Sequence, residues 1–303
     1  MPLKTGRFYE CADVKIDQSK CTVCGLCVKV CKGSPLYIED GMVKVDQSRV
    51  FGCVACGQCM AICPNLAIQV RGRDMTPDDL MEMPASESTA DYDALKSLML
   101  SRRSVRSFKK QDVDREIIQK ILDAAATAPN GLASSDVEVL VFDKREKVEE
   151  LTKDLIGALK KNMWMFSPIT MKFIRLFMGK EAYESFNSFA ATAADTFVKK
   201  YDNGEDWFTY SAPMALYFHV SPYADPADPF IPATYAVLAG QTLGLGSCML
   251  GVPNIILNYL GKDLKVKYGI PKKNKNGIFV IFGYPNLKYS HAIQRRFAKV
   301  KWL

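Results

Sequence analysis

Ten cysteines stand in this chain, and eight of them crowd between Cys21 and Cys63. Cys21, Cys24, Cys27 and Cys31 recur 32 positions later as Cys53, Cys56, Cys59 and Cys63, with Pro64 following. Each half therefore reads C-x-x-C-x-x-C-x-x-x-C. A thiolate is a soft metal ligand, and four thiolates converging from different directions suit a cuboidal four-iron cluster. Three cysteines spaced by three wrap one cluster, while the fourth points away to its neighbour. The expected ligand sets are Cys21, Cys24, Cys27 and Cys63 for one [4Fe–4S] cluster, and Cys53, Cys56, Cys59 and Cys31 for the other. Such a crossover ties the halves together and lets a short segment with little core fold. Zinc sites usually take two C-x-x-C pairs split by a longer loop, and disulfides suit an oxidising compartment. Neither fits this run.

Three later stretches also carry side chains with chemistry in them. Ser101-Arg-Arg-Ser-Val-Arg-Ser-Phe crowds Arg102, Arg103, Ser104 and Arg106 into a turn after a helix. Guanidinium forks and a hydroxyl are matched donors for a phosphate, although a solvated basic turn is the commoner meaning of such a run. Ala128-Pro-Asn-Gly lies at a helix exit and alone is only a turn. Gly244-Leu-Gly-Ser-Cys-Met-Leu-Gly follows a buried helix. Its glycines let backbone approach a flat ligand, with free amides toward the polar edge; glycine loops also simply end many helices.

The elements that must position these residues follow from periodicity. In the cysteine-rich part, short strands are expected at 37–38 with 43–45, joined by an Asp40–Gly41 hairpin, and at 67–70. From 71 to 91 the pattern stops, with Pro77 and Pro84 as punctuation and room for a short helix at 77–83. From Tyr92 onward helical and β-rich runs alternate. Helices are expected over 92–100, 115–127, 145–161, 181–200, 233–243 and 253–260, and strands over 137–142, 214–220 and 278–282. The second helix is well marked. Ile117, Ile118, Ile121, Leu122 and Ala125 share one face, with Asp112 or Asp114 as cap. The organisation is therefore a cluster domain over 1–72, a linker over 73–91 and an α+β domain over 92–303.

Composition bounds the rest. The 303 residues are 48% hydrophobic and 24% charged, which excludes a disordered or low-complexity chain. A net charge of +7 without a basic stripe permits an anionic cofactor but gives no nucleic-acid signature. The N-terminal residues lack a signal-peptide core, and the charge-free stretch 229–261 is broken by Pro232, Gln241, Pro253 and Asn254. A soluble cytoplasmic protein without a membrane span is expected.

Residues 12–72 resemble a bacterial two-cluster ferredoxin, with Lys32 where many members carry proline after the fourth cysteine. Residues 92–296 resemble the FMN-dependent nitroreductase family. The resemblance rests on the order of Arg-Arg-Ser-Val-Arg, Ala-Pro-Asn-Gly, Gly-Leu-Gly-Ser-Cys-Met-Leu-Gly, Gly283-Tyr-Pro and Arg295-Arg296. It implies an α+β sandwich that dimerises. It implies that Arg102, Arg103, Ser104, Arg106, Arg295 and Arg296 bind the FMN phosphate and ribityl chain. Pro129, Asn130 and Gly131 would pack on the flavin from the second subunit. Gly246, Ser247, Leu250 and Gly251 would lie against the ring. Ala133 stands where the family often has an asparagine, so that contact is absent or replaced by Asn130 or Ser135.

Other residues have plainer meanings. Cys248 reads as packing near the flavin and Cys11 as a bland thiol. His219 reads as a core histidine, whereas His291 lies near the terminal arginines. The Met-rich and aromatic run 163–178 suits an apolar wall, a pocket cover, a dimer interface or a membrane-surface helix. Together the resemblances imply an iron–sulfur flavoprotein oxidoreductase. Reduced ferredoxin or another low-potential donor would feed the clusters, and FMN would reduce a small organic acceptor: a nitroaromatic, a quinone or an activated alkene. No side-chain catalyst is expected, because the flavin N5 carries the chemistry. An electron-transfer module serving a protein acceptor is the alternative.

Overall fold

The computed structural model describes residues 12–131, 136–167, 170, 180–185, 188 and 190–303. Cys11, Ala133, Ser135 and most of 167–178 lie outside them. The chain divides into two units: Met1–Thr89 with Pro129–Val137 and Val220–Asp228, and Ala90–Ala128 with Glu138–His219 and Pro229–Leu303.

In the cysteine-rich unit the sequence repeat is a backbone repeat. Strand β1 (Asp13–Ile16) pairs antiparallel with β4 (Ile68–Arg71), and β2 (Leu36–Glu39) pairs with β3 (Met42–Val45). The helices are single turns, α1 (Leu26–Val30) and α2 (Gln58–Ala61). Equivalent positions share left-handed backbone: Val23 and Ala55 at φ 53° and 59°, Gly25 and Gly57 at 74° and 70°, Ser34 and Leu66 at 62° and 50°. The non-glycine members each cost about 1–2 kcal/mol, so the loops around the cysteines are held against a local preference. The turn after β1 and the turn after β3 match as well. Asp17 and Asp46 each accept from the serine two residues on, at 2.5 and 2.6 Å to the hydroxyl. The β2–β3 turn is the expected hairpin, with Asp40 and Gly41 both at positive φ.

Strand β1 is an element the sequence did not announce, because four residues are too few to show a period. The small core includes Val14, Leu36, Val43, Met60, Ile68 and Val70, with Met75 and Leu80 packed on it. The expected helix at 77–83 is one 3₁₀ turn, Pro77–Asp79, closed by a Thr76–Asp79 capping box.

The second unit is built on a sheet of order β5 (Val137–Phe142), β6 (Met214–Val220), β8 (Asn276–Gly283), β7 (Gly246–Leu250). Every residue of β6 is buried, the continuous apolar run of a strand covered on both faces. The described helices are α3 (Tyr92–Ser101), α4 (Arg115–Ala126), α5 (Arg145–Lys161), α6 (Lys180–Ser185), α7 (Ala191–Asp202), α8 (Phe230–Thr242), α9 (Val252–Tyr259) and α10 (Lys262–Lys267). Asp91 caps α3 by accepting from the Ala94 N–H at 2.7 Å. Helix α5 turns Val148, Leu151, Leu155, Ile156 and Leu159 into the core at helical spacing. Helix α8 carries no charge, and a Cβ on its Gly240 would come within 2.9 Å of the Phe282 ring on β8.

Over 181–200 every described residue is helical, in α6, in π-helical turns at 188 and 190, and in α7. Two expectations need correction. The glycine-rich stretch 244–251, expected as a loop, contains β7, whose strand character comes from pairing with β8 rather than from its own residues. Helix α10 was not expected at all. Among the described residues no helix is long and apolar enough to cross a membrane.

Candidate functional site

The cysteines stand around two cavities. One is lined by Cys21, Cys24, Cys27 and Cys63, with Ile16 and Ile68 among its walls. The other is lined by Cys31, Cys53, Cys56 and Cys59, with Val14 and Val70. Each cavity thus holds three sulfurs of its own half and one of the other. Cys27 and Cys59 are buried while Cys24 and Cys56 are exposed, again in equivalent positions. Burial pushes the Cys27 thiol up, and the nearby Cys21 and Cys24 add to it. Burial also raises Cys53 and pushes Cys59 up to about 12, helped by Cys53, Cys31 and Cys56. Thiolates this costly need a cationic partner, which a coordinating metal supplies by displacing the proton. Among the described residues no three His, Cys, Asp or Glu side chains converge tightly enough to share a single ion. A cuboidal cluster asks for no such convergence, since each thiolate binds its own corner iron.

In the second unit the basic run after α3 lies along the sheet edge. The Val105 N–H donates to Ser247 O at 2.9 Å, and Lys109 N–H donates to Tyr284 O at 2.8 Å. This strap carries the Ser104 hydroxyl and the Arg106 guanidinium to the thiol of buried Cys248, with the Arg102 charge close by. Burial pushes that thiol up, and Arg106, Ser104 and Arg102 draw it back. Arg106 also lies 5.7 Å over the Tyr210 ring. Two guanidiniums and a hydroxyl gathered at one strand fit the donor chemistry of a phosphate. Arg103 instead lies 5.7 Å over Tyr289. Arg295 and Arg296 sit on an exposed tail, as does His291, whose Nδ1 is 2.9 Å from Ser290 Oγ.

The glycine stretch separates into two roles. A Cβ on Gly246 would come within 2.5 Å of Val105, so its close approach is to the strap, and Ser247 beside it is buried. Leu250 is partly exposed, and Gly251 is exposed with open space where a Cβ would stand, at the start of α9. Pro129, Asn130 and Gly131 fall in the first unit, where Gly131 N–H donates to buried Asp228 at 2.9 Å.

Two neighbours of the basic strap escaped the sequence reading. Tyr210 and Ser211 are both left-handed, at φ 57° and 47°. Asp206 holds them by accepting from the N–H groups of Phe208, Thr209 and Ser211, each at 2.8 Å. Asp206 is followed by Trp-Phe-Thr-Tyr-Ser, so a lone turn-forming Asp is the available signal, and it is a weak one. Cys248 packs in the core, as expected, and its thiol also meets Ser104 and Arg106. His219 is buried, 3.2 Å from the Asn274 amide, and burial together with Lys265 lowers it to about 4.

Comparison with known proteins decides the larger unit. The sequence profile of the nitroreductase family matches residues 99–284. The chain belongs to the nitroreductase family. A profile of the 4Fe-4S dicluster domain matches residues 13–64. Among solved structures, a nitroreductase with bound FMN from Bacteroides fragilis is 19% identical with a TM-score of 0.51, over 69% of this chain and 97% of that one. A nitroreductase with bound FMN from Desulfitobacterium hafniense is 18% identical with a TM-score of 0.50, again over 69% and 97%. These likenesses establish the nitroreductase fold. No curated protein matches the chain in sequence. The protein is a nitroreductase-family oxidoreductase joined to a 4Fe-4S dicluster domain.

Proposed function

We propose that this nitroreductase passes electrons from two [4Fe–4S] clusters, held over 1–72, to FMN held by 92–303 across the linker 73–91, for reduction of a small organic acceptor. The observation that carries the reading is the pair of four-cysteine cavities in the same chain as a nitroreductase fold. FMN, when bound, exchanges single electrons with such clusters and hydride with nitro, quinone or activated-alkene acceptors, which is why the two domains belong together.

The chain's own residues bind and orient. Arg102, Ser104 and Arg106 take the phosphate, with Arg103 and the tail residues Arg295 and Arg296 completing the clamp. Leu250 and Gly251 offer the accessible apolar edge for the ring, while Gly246 and Ser247 anchor the strap behind it. Pro129, Asn130 and Gly131, with Ser135, serve the flavin of the second subunit in a homodimer. Covalent tethering keeps donor and acceptor at high effective concentration.

The test is anaerobic turnover driven by reduced ferredoxin, with nitroaromatic, quinone and alkene acceptors compared. Cys53→Ser and Cys21→Ser should abolish ferredoxin-driven turnover while dithionite still reduces the bound flavin. Undiminished ferredoxin-driven turnover in both variants would sink the proposed electron path.

A further inference from the structure

From the cysteines onward the two halves of the dicluster unit share a 32-residue repeat in sequence and in left-handed positions, so a difference between equivalent positions there is a difference between the clusters. One such difference touches a ligand sulfur. In the second half the Ala67 N–H donates to Cys63 Sγ at 3.3 Å. Shifted back by the repeat of 32, Cys63 becomes Cys31 and Ala67 becomes Pro35. The local backbone is otherwise the same. Leu66 and Ser34, which precede the two positions, are both left-handed, at φ 50° and 62°. Ala67 O accepts from Asp17 N–H and Pro35 O from Asp46 N–H, both at 2.8 Å. Strands β4 and β2 then begin at equivalent residues, Ile68 and Leu36. Proline keeps the carbonyl and the path of the chain, and removes only the donor.

An N–H aimed at a ligand sulfur places the positive end of a dipole beside charge that grows on reduction. Hydrogen bonds to the sulfurs are accordingly one of the determinants of cluster potential. We propose that Pro35 makes the two clusters unequal: the cluster held by Cys21, Cys24, Cys27 and Cys63 has the higher potential and holds the electron, and its partner, lacking the Pro35 donor, has the lower. This rests on the proposal that both cavities carry [4Fe–4S] clusters. Each cluster gains one electron from the external reductant and loses it again, with no bond or proton exchanged. Arg73, near Cys53, acts in the opposite sense. It lies near the surface, so salt screens it, whereas the sulfur contact is direct.

The experiment is a redox titration of the full-length holoprotein at 0.5 M salt, followed by electron paramagnetic resonance, on the native chain and on Pro35→Ala and Pro35→Val. Cys24→Ser, which touches only the Cys21 cavity, identifies the midpoint belonging to that cluster. Both Pro35 variants should raise the reduced-to-oxidised ratio of the other cluster at fixed poise by roughly tenfold, equivalent to about 59 mV for one electron. The two should agree, because both restore the N–H whatever side chain they add. Unchanged midpoints in variants that keep full iron and sulfide would overturn the proposal, as would a native chain whose lower midpoint belongs to the Cys21 cavity. Absence of eight iron per native chain would instead overturn the cluster reading beneath it.

Discussion

The two units of this nitroreductase-family protein are stabilised by different physics. The unit around β6 and β8 buries full-length strands and the faces of long helices, so hydrophobic burial suffices to order it. The cysteine-rich unit has four-residue strands, single-turn helices and several non-glycine residues in left-handed backbone. Its core is small, and it includes two of the proposed ligands, Cys27 and Cys59. One unit can hold its site because it is folded; the other is folded because it holds its site.

The largest effect should come from separating these two supports. Anaerobic chelation of the iron should unfold residues 12–72, since metal–thiolate binding contributes on the order of 10 kcal/mol to such small domains. The nitroreductase unit should keep its own thermal transition. Calorimetry that shows a single transition lost with the metal would erase the contrast.

The complementary change is Leu151→Ala in α5, a residue with no exposed surface. It should destabilise the second unit by about 2–5 kcal/mol through lost burial and a residual cavity. Iron content and cluster absorption should stay at native values, measured beside denaturant unfolding.

A pH titration sharpens the same distinction. His219 is lowered from its ordinary value to about 4, chiefly by burial and then by Lys265, so the folded unit resists protonation that the unfolded chain accepts. The stability this represents is complete above about pH 6.5 and is lost as pH falls toward 4, on the order of 3 kcal/mol. Denaturant unfolding of native protein and His219→Phe at pH 7 and 4.5 checks it. The drop should be smaller in the variant, and equal drops would remove His219 from the account.

The smallest of these effects is local to the strap. Arg102→Ala should weaken FMN binding by about one to two powers of ten, the loss of one charge-assisted contact of roughly 1.5–3 kcal/mol. Iron content should be intact, and riboflavin, which lacks the phosphate, should discriminate little between native and variant. Equal FMN affinity would move the clamp to Arg106, Arg295 and Arg296.

The units also differ in how much of them could be read in advance. Cysteine spacing is a local code, so both four-residue sets were legible from the repeat alone. The long buried strands and α5 were legible because burial writes a period into the sequence. Strand β7 was not. Gly246-Ser-Cys-Met-Leu has the composition of a loop, and it is a strand because β8 lies beside it and Val105 covers it. Around Cys248 the arginines and Ser104 were placed only through the order of motifs, and Tyr210 was not placed at all, since it reaches Arg106 from far along the chain. Short elements such as β1 and α10 leave too few residues to show a pattern.

The exchange of Cys31 and Cys63 between the cavities has a consequence for inheritance. A doubled segment in which each copy kept its own four sulfurs could later shed one copy and retain a working half. Here removal of either copy leaves the survivor with three sulfurs on one side and a single stranded sulfur on the other. With the proposed ligand sets, neither half can be deleted without costing both cavities their full set of four sulfurs.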